Sequence, residues 1–201
     1  RKGAGFFLAP GLGKTTIILY LFKILKDLGV CDELMVLAKR RIVYNVWRQE
    51  IDKWGLPFHY SVVHGPHKSK ALFARAEVRI TNYETVPWIN KQKKWIRRST
   101  RIMLAVDESS AYRNSQTKRF RQLKQLIKKA NIVRRYIMTG SPAPKNLLGI
   151  FSQIYILDDG KTFGTTLTQF RNRYFNPGGF GGFDWKVAPG ADKQIFKRMK
   201  P

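Results

Sequence analysis

The chain has 201 residues, 43% of them hydrophobic, which is enough for one globular domain with a real core and too few for two full ones. Its 38 Lys and Arg against 13 Asp and Glu give a formal net charge of +25, more than solubility requires, and point to a polyanionic partner. The single cysteine, Cys31, excludes a disulfide framework or a cysteine-rich metal site and fits a reducing compartment, cytoplasmic or nuclear; no run is apolar enough to span a membrane, and Pro10 with its glycine neighbours breaks the opening segment too early for a signal peptide.

The basic residues are interleaved with 5 Trp, 13 Phe and 8 Tyr, so a folded basic domain is expected rather than a low-complexity tail. In chain order, an apolar run at 5–9 (GFFLA) predicts a first strand. Residues 15–28 follow with Ile18, Leu21, Phe22, Leu25 and Leu28 at helical spacing and Gly29 as the stop. A strand at 33–38 (ELMVLA) precedes a helix at 41–54, carried by Val43, Trp47, Ile51 and Trp54. Strands are predicted again at 59–63, 78–81 and 102–106. A helix over 117–129 turns Phe120, Leu123 and Ile127 inward and Lys118, Arg121, Lys124 and Lys128 outward; a strand at 136–138 and an apolar helix from Asn146 come next. The strands lack an alternating polar face, as expected of a buried parallel sheet, and their alternation with helices predicts an α/β fold, a mostly parallel central sheet with helices on both faces. Residues 176–190, rich in Gly and Pro, read as a loop or irregular hairpin. The opening at Arg1 and the close at "KRMKP" are those expected of a fragment of a longer chain.

Three stretches carry chemistry. "APGLGKTT" lies between a strand and a helix, where small residues free backbone N–H groups to wrap a phosphate chain and the helix N-terminus adds partial positive charge. Pro10, Gly11, Leu12, Gly13, Lys14, Thr15 and Thr16 are the candidate cofactor-binding residues: Lys14 would reach the β and γ phosphates of ATP and the Thr15 hydroxyl would ligate Mg²⁺, although Leu8 stands where the phosphate-loop pattern has its first Gly. Asp107 and Glu108 end an apolar run. No acid follows from Ser109 to Leu157 while ten bases do. Asp107 is the second candidate Mg²⁺ ligand and Glu108 the candidate base for the attacking water. Thr139, Gly140 and Ser141 offer polar groups at the same sheet edge. A chance GKT turn, a solvated strand end and a polar helix cap are the plainer readings of these stretches.

Taken in order, "GLGKTT", "VDESS" and "MTGSP" resemble motifs I, II and III of superfamily 2 helicases and translocases. "VLAKRRIVYNVWRQEIDKW" is similar to the motif Ia region of Swi/Snf-type motors, "RITNYETV" to motif Ib, and "LLGIFSQIYILDDGKTFGTTLTQFRNRYF" to the segment after motif III, so the likeness runs over about residues 5 to 175. It is closest in flavour to compact viral or bacterial members. The resemblance implies a RecA-like P-loop NTPase lobe at 1–175, followed at 176–201 by the start of a connection to a second lobe that would bring arginine fingers worth about 10³ to 10⁵ in rate. It implies Mg²⁺-dependent ATP hydrolysis, coupling through Thr139, Gly140 and Ser141, and backbone contacts to nucleic acid, expected as double-stranded DNA, from Lys39, Arg40, Arg41, Thr81, Asn82 and Tyr83. Asp-Glu-Ser-Ser replaces the Asp-Glu-Ala-His of many members and leaves open how motif II reaches motif III.

A second basic cluster, Lys91, Lys93, Lys94, Arg97, Arg98 and Arg101 around Trp88 and Trp95, is expected to add electrostatic grip. His64 and His67 read as a structural loop pair rather than a metal site. Phe180, Phe183 and Trp185 either wedge between bases or pin the terminal loop. Two functions of different class compete: a DNA-dependent ATPase that translocates or unwinds, and a non-catalytic nucleic-acid-binding module keeping a vestigial phosphate loop.

Overall fold

The computed structural model describes residues 2–143, 147–178 and 184–200. Its elements in chain order are β1 (Gly3–Phe6), α1 (Lys14–Asp27), β2 (Glu33–Ala38), α2 (Arg40–Val43), α3 (Val46–Lys53), β3 (Tyr60–Val63), α4 (Lys68–Phe73) and β4 (Val78–Asn82). After a 3-10 turn at Tyr83–Thr85 come α5 (Val86–Ile89), α6 (Lys93–Ile96) and β5 (Ile102–Asp107). A second 3-10 turn at Ser109–Tyr112 leads to α7 (Lys118–Lys129), β6 (Ile132–Met138), α8 (Leu148–Asp158), α9 (Leu167–Tyr174), β7 (Phe175–Gly178), β8 (Asp184–Val187) and α10 (Ala191–Met199). Six strands form one parallel sheet in the order β1-β6-β5-β2-β4-β3, and β7 pairs antiparallel with β8.

Alternation along each strand divides the core in two. Leu34, Val36 and Ala38 of β2 with Met103 and Ala105 of β5 pack beneath Ile18, Leu19 and Phe22 of α1 and Trp47 and Ile51 of α3. Met35, Leu37, Leu104 and Val106 face the other way, toward α7, α8 and α9, and Ala191 and Ile195 of α10 join that same cluster. Both faces are thus covered, as the near-continuous apolar strands require.

Several elements depart from the expected bounds. β1 ends at Phe6, so Phe7, Leu8 and Ala9 belong to the loop. β6 begins at Ile132 rather than 136; Arg134 and Arg135 lie within it, and Arg135 donates to the Ile156 carbonyl at 3.1 Å and to Asp159 at 2.6 Å. The helix expected at 41–54 is broken at Tyr44 and Asn45, where φ of Asn45 is −119°, so the chain turns before α3 begins. The irregular hairpin expected at 176–190 is realised by β7 and β8. Asn146, Phe180 and Phe183 fall outside the described residues; Trp185 of β8 is half-buried, with the guanidinium of Arg171 4.2 Å from its ring centroid.

Candidate functional site

Because all six strands run the same way, the segments that leave their carboxyl ends share one rim of the sheet, the edge where open α/β sheets bind ligands. The register sets Phe6 beside Met138 and Met138 beside Asp107, so the β1 loop and the β5 acids are separated by one strand, about 10 Å across. The loop after β6 closes the gap: Thr139 N–H donates to the Phe6 carbonyl at 3.2 Å, and a Cβ at Gly140 would meet Pro10 Cδ at 3.2 Å, so that glycine allows the two loops to touch.

In the β1 loop, Gly11 and Gly13 take φ of 83° and 68°, left-handed values that only glycine adopts without strain. Gly13 caps α1, and the first intrahelical bond runs from Ile17 N–H to its carbonyl at 2.9 Å. The N–H groups of Lys14, Thr15 and Thr16 therefore precede the helical ladder, a cluster of donors with the positive end of the helix dipole. Lys14 Nζ rests on two neutral acceptors, the carbonyls of Leu8 and Ala9, each at 2.8 Å. Leu12 is 59% exposed at the loop tip. Thr15 is half-buried at the start of α1, while the Thr16 hydroxyl turns away and donates to Glu50 of α3 at 2.6 Å.

Asp107 follows Met103 and Ala105 on the face covered by α1 and α3, and the Trp47 indole N–H donates to its Oδ2 at 3.2 Å. Burial raises the Asp107 carboxyl above its ordinary value, with the Glu108 charge adding, against the bond from Trp47 and the charge of Lys14. Glu108 has φ 55° and ψ 60°, a left-handed conformation unfavourable for a side chain with a Cβ, and this turns its carboxylate off the strand line toward β6. There Oε1 accepts from Ser110 at 2.5 Å and Thr139 at 2.6 Å. Burial pushes the Glu108 carboxyl up, but those bonds, with the charges of Lys39 and Lys14, outweigh it and hold its pKa below the ordinary value. Neither acid forms an ion pair among the described residues.

The two serines after the acids show how this variant joins its strand ends. Ser110 holds Glu108 together with Thr139, whose Oγ1 also accepts from Ser141 N–H at 3.2 Å. Ser109, fully buried, donates to Gln153 of α8 at 2.8 Å, and Gln153 donates to the Pro142 carbonyl at 2.6 Å. Trp47, Glu50, Ser110 and Gln153 were not singled out as site residues. The only signal for the first two was the Trp and Glu spacing of the motif Ia likeness.

The expected nucleic-acid residues separate into two groups. Lys39, Arg40 and Arg41 are exposed where β2 leaves the sheet, next to β5 on the rim, and make no ion pair among the described residues. Thr81, Asn82 and Tyr83 are buried. All three are at most 4% exposed. Thr81 donates to the Val63 carbonyl at 2.8 Å, Asn82 bonds Glu84 and Thr85, and Tyr83 Oη donates to the carbonyl of Asp107, so each is spent on internal bonds that shape the rim. The second basic cluster divides in the same way. Arg98 stacks on buried Trp95 and pairs with Glu33, and Arg101 pairs with Asp32 at 2.6 Å, at the strand ends opposite the rim. Lys91, Lys93, Lys94 and Arg97 stay exposed, Trp88 lies under Lys68, and His64 bonds Tyr44. No group of metal-binding side chains built from three or more His, Cys, Asp or Glu occurs among the described residues, and no helix among them is long and apolar enough to cross a membrane.

The fold and rim define a RecA-like lobe. It resembles the Sulfolobus solfataricus SWI2/SNF2 ATPase core in complex with dsDNA, with a TM-score of 0.71 and 21% identity, over 86% of this chain and 34% of that one. Residues 3–179 match the SNF2-related domain, and the chain belongs to that family. It is 26% identical to the ISWI chromatin-remodeling complex ATPase ISW2 of Saccharomyces cerevisiae over 73% of this chain and 13% of the relative. It is 25% identical to protein p41 of Acyrthosiphon pisum secondary endosymbiont phage 1 over 92% of this chain and 42% of the relative. The chain therefore spans less than half the length of each of these proteins.

Proposed function

We propose that this chain is the ATP-binding lobe of a DNA-dependent ATPase that translocates on duplex DNA and completes its catalytic site with a second lobe. The observation that carries the reading is the convergence, on one rim, of a helix N-terminus that no side chain caps among the described residues with Lys14, the acids Asp107 and Glu108, and Thr139 bonded to Glu108. The donor set fits a magnesium nucleotide: one cation sits on neutral carbonyls and two carboxylates have no ion-pair partner among the described residues. The first-turn N–H groups of α1 and Lys14 Nζ would bind the phosphate chain, and Lys14 would exchange two neutral acceptors for charged ones. Thr15 and Asp107 would hold Mg²⁺, which when bound neutralises charge building on the phosphate oxygens. Glu108 Oε1 is anchored by Ser110 and Thr139, and the rest of the carboxylate can orient a water and accept its proton. Support for DNA as the track comes from the +25 charge, from Lys39, Arg40 and Arg41 beside Asp107 on the rim, and from the SWI2/SNF2 core whose fold this chain shares.

Fluorescent ATP binding to the 201-residue chain, titrated with and without Mg²⁺, tests the reading. Lys14→Ala and Asp107→Ala are each expected to weaken the magnesium-dependent affinity about ten-fold or more, the worth of one charge-assisted contact. In the complete two-lobed protein Glu108→Gln should abolish DNA-stimulated hydrolysis and leave DNA binding in place. DNA binding that is salt-sensitive while magnesium nucleotide does not bind at all would instead establish a non-catalytic module.

A further inference from the structure

Trp47 is fully buried, and the one polar atom of its side chain points at Asp107 Oδ2 from a helix 60 residues earlier in the chain. On the same helix Glu50 Oε2 accepts from the Thr16 hydroxyl at 2.6 Å and from the Trp54 indole N–H at 2.9 Å. Positions 47, 50 and 54 recur at i, i+3 and i+7, one side of a helical path. α3 is therefore bonded at once to the last residue of β5 and to the first turn of α1, the two pieces that must keep a fixed separation around a shared cation. Core packing alone does not require this, since a phenylalanine would fill much of the same space. An indole N–H directed at a half-buried carboxylate fixes which oxygen it engages, and with it the rotation of the group.

We propose that Trp47 is a positioning residue for the magnesium-nucleotide site: its N–H locks the rotation of the Asp107 carboxylate, while Glu50 holds the start of α1 through Thr16. This rests on the nucleotide reading above. It also gives the exposed Lys39–Arg41 segment, which leads through α2 into α3, a direct mechanical connection to the metal-facing acid.

The test compares the Mg²⁺ concentration needed for half-maximal ATP binding in the unaltered chain and in Trp47→Phe, which keeps a buried ring and deletes the N–H. The expected result is a rise of about ten-fold in that midpoint, with nucleotide affinity in EDTA nearly unchanged. A merely structural tryptophan would lower both affinities together. An unchanged Mg²⁺ midpoint in a folded variant overturns the proposal. Should Trp47→Phe not fold, site-specific replacement of Trp47 by benzothienylalanine, which retains the bicyclic shape and lacks the N–H, makes the same comparison with the same two outcomes. Failure of the unaltered chain to bind magnesium nucleotide would overturn the underlying reading as well, and is distinguishable because it appears before any substitution is made.

Discussion

Asp107 ends a strand whose previous five residues are buried, and its ionised form loses water that the Trp47 indole N–H and the Glu108 backbone N–H only partly replace. Burial is the largest influence on this carboxyl and raises it. An acid whose folded value exceeds its unfolded value binds its proton more tightly when folded. The charged group then costs stability at neutral pH, and the cost disappears as pH falls through the folded value. Asp107→Asn keeps the shape and an acceptor for Trp47, so the nucleotide-free chain should melt about 2–4 °C higher at neutral pH, with the gain shrinking toward acid. Calorimetry at two pH values measures this, and magnesium-nucleotide binding should be lost in the same variant, the mark of a residue kept for its chemistry. Glu108 behaves oppositely: its depressed carboxyl contributes stability above its unfolded value and loses it as pH drops. Cys31 gives an independent residue-scale check. It is 1% exposed, and burial, with Asp32 adding, pushes its thiol up to about 11. Alkylation of the folded chain at mildly alkaline pH should therefore be slow and should track unfolding.

At the scale of elements, β4 is held by an unusual device for a central strand. Arg79 is 4% exposed, donates to the carbonyls of Leu72, Ala74 and Ala76, and pairs with Glu33 of β2, which also receives Arg98 at 3.1 Å. The three carbonyls fix the turn from α4 into β4, and Glu33 serves both guanidiniums. Glu33→Ala should cost about 3–5 kcal/mol in urea unfolding, because it strands a buried cation rather than deleting a pair. β2, β4 and β5 were legible in the sequence because unbroken apolar runs leave little alternative, and α7 because its apolar stripe has a clear period. β6 was hidden by Arg134 and Arg135; the place of Arg135 in the strand depends on partners 21 and 24 residues away. α4 and α10 are short, with too few buried positions to show a period. In the site, Lys14, Asp107, Glu108 and Thr139 stood out as polar groups at strand ends. Trp47, Glu50 and Gln153 did not, since their work is a hydrogen bond across 34 to 60 residues that no local pattern records. The burial of Tyr83 was hidden for the same reason: its hydroxyl is claimed by the backbone of β5.

For the whole molecule, the strand order sets the candidate site groups in sequence along the rim: the β1 loop, Thr139, Asp107 and then Lys39 follow one another as β1, β6, β5 and β2. Charge available to a polyanion is distributed less evenly than the +25 total implies. Arg98 and Arg101 are matched by Glu33 and Asp32 at the opposite strand ends, whereas Lys39, Arg40 and Arg41 have no such match among the described residues. Phosphate contacts release counterions, so each one made by these three residues should add about 0.9 to the slope of log affinity against log salt on duplex DNA. Replacing all three with alanine is expected to reduce that slope by about 2 to 3 and to weaken binding alike for unrelated sequences, because backbone contacts carry no sequence information. Arg101→Ala should leave the slope nearly unchanged, since removing one member of an ion pair at the far end takes no phosphate contact away. Salt titrations of the unaltered chain and both variants decide between a localised track and diffuse attraction: an equal loss of slope per charge removed would mean the whole basic surface binds, and a loss confined to the 39–41 variant would place the DNA beside Asp107.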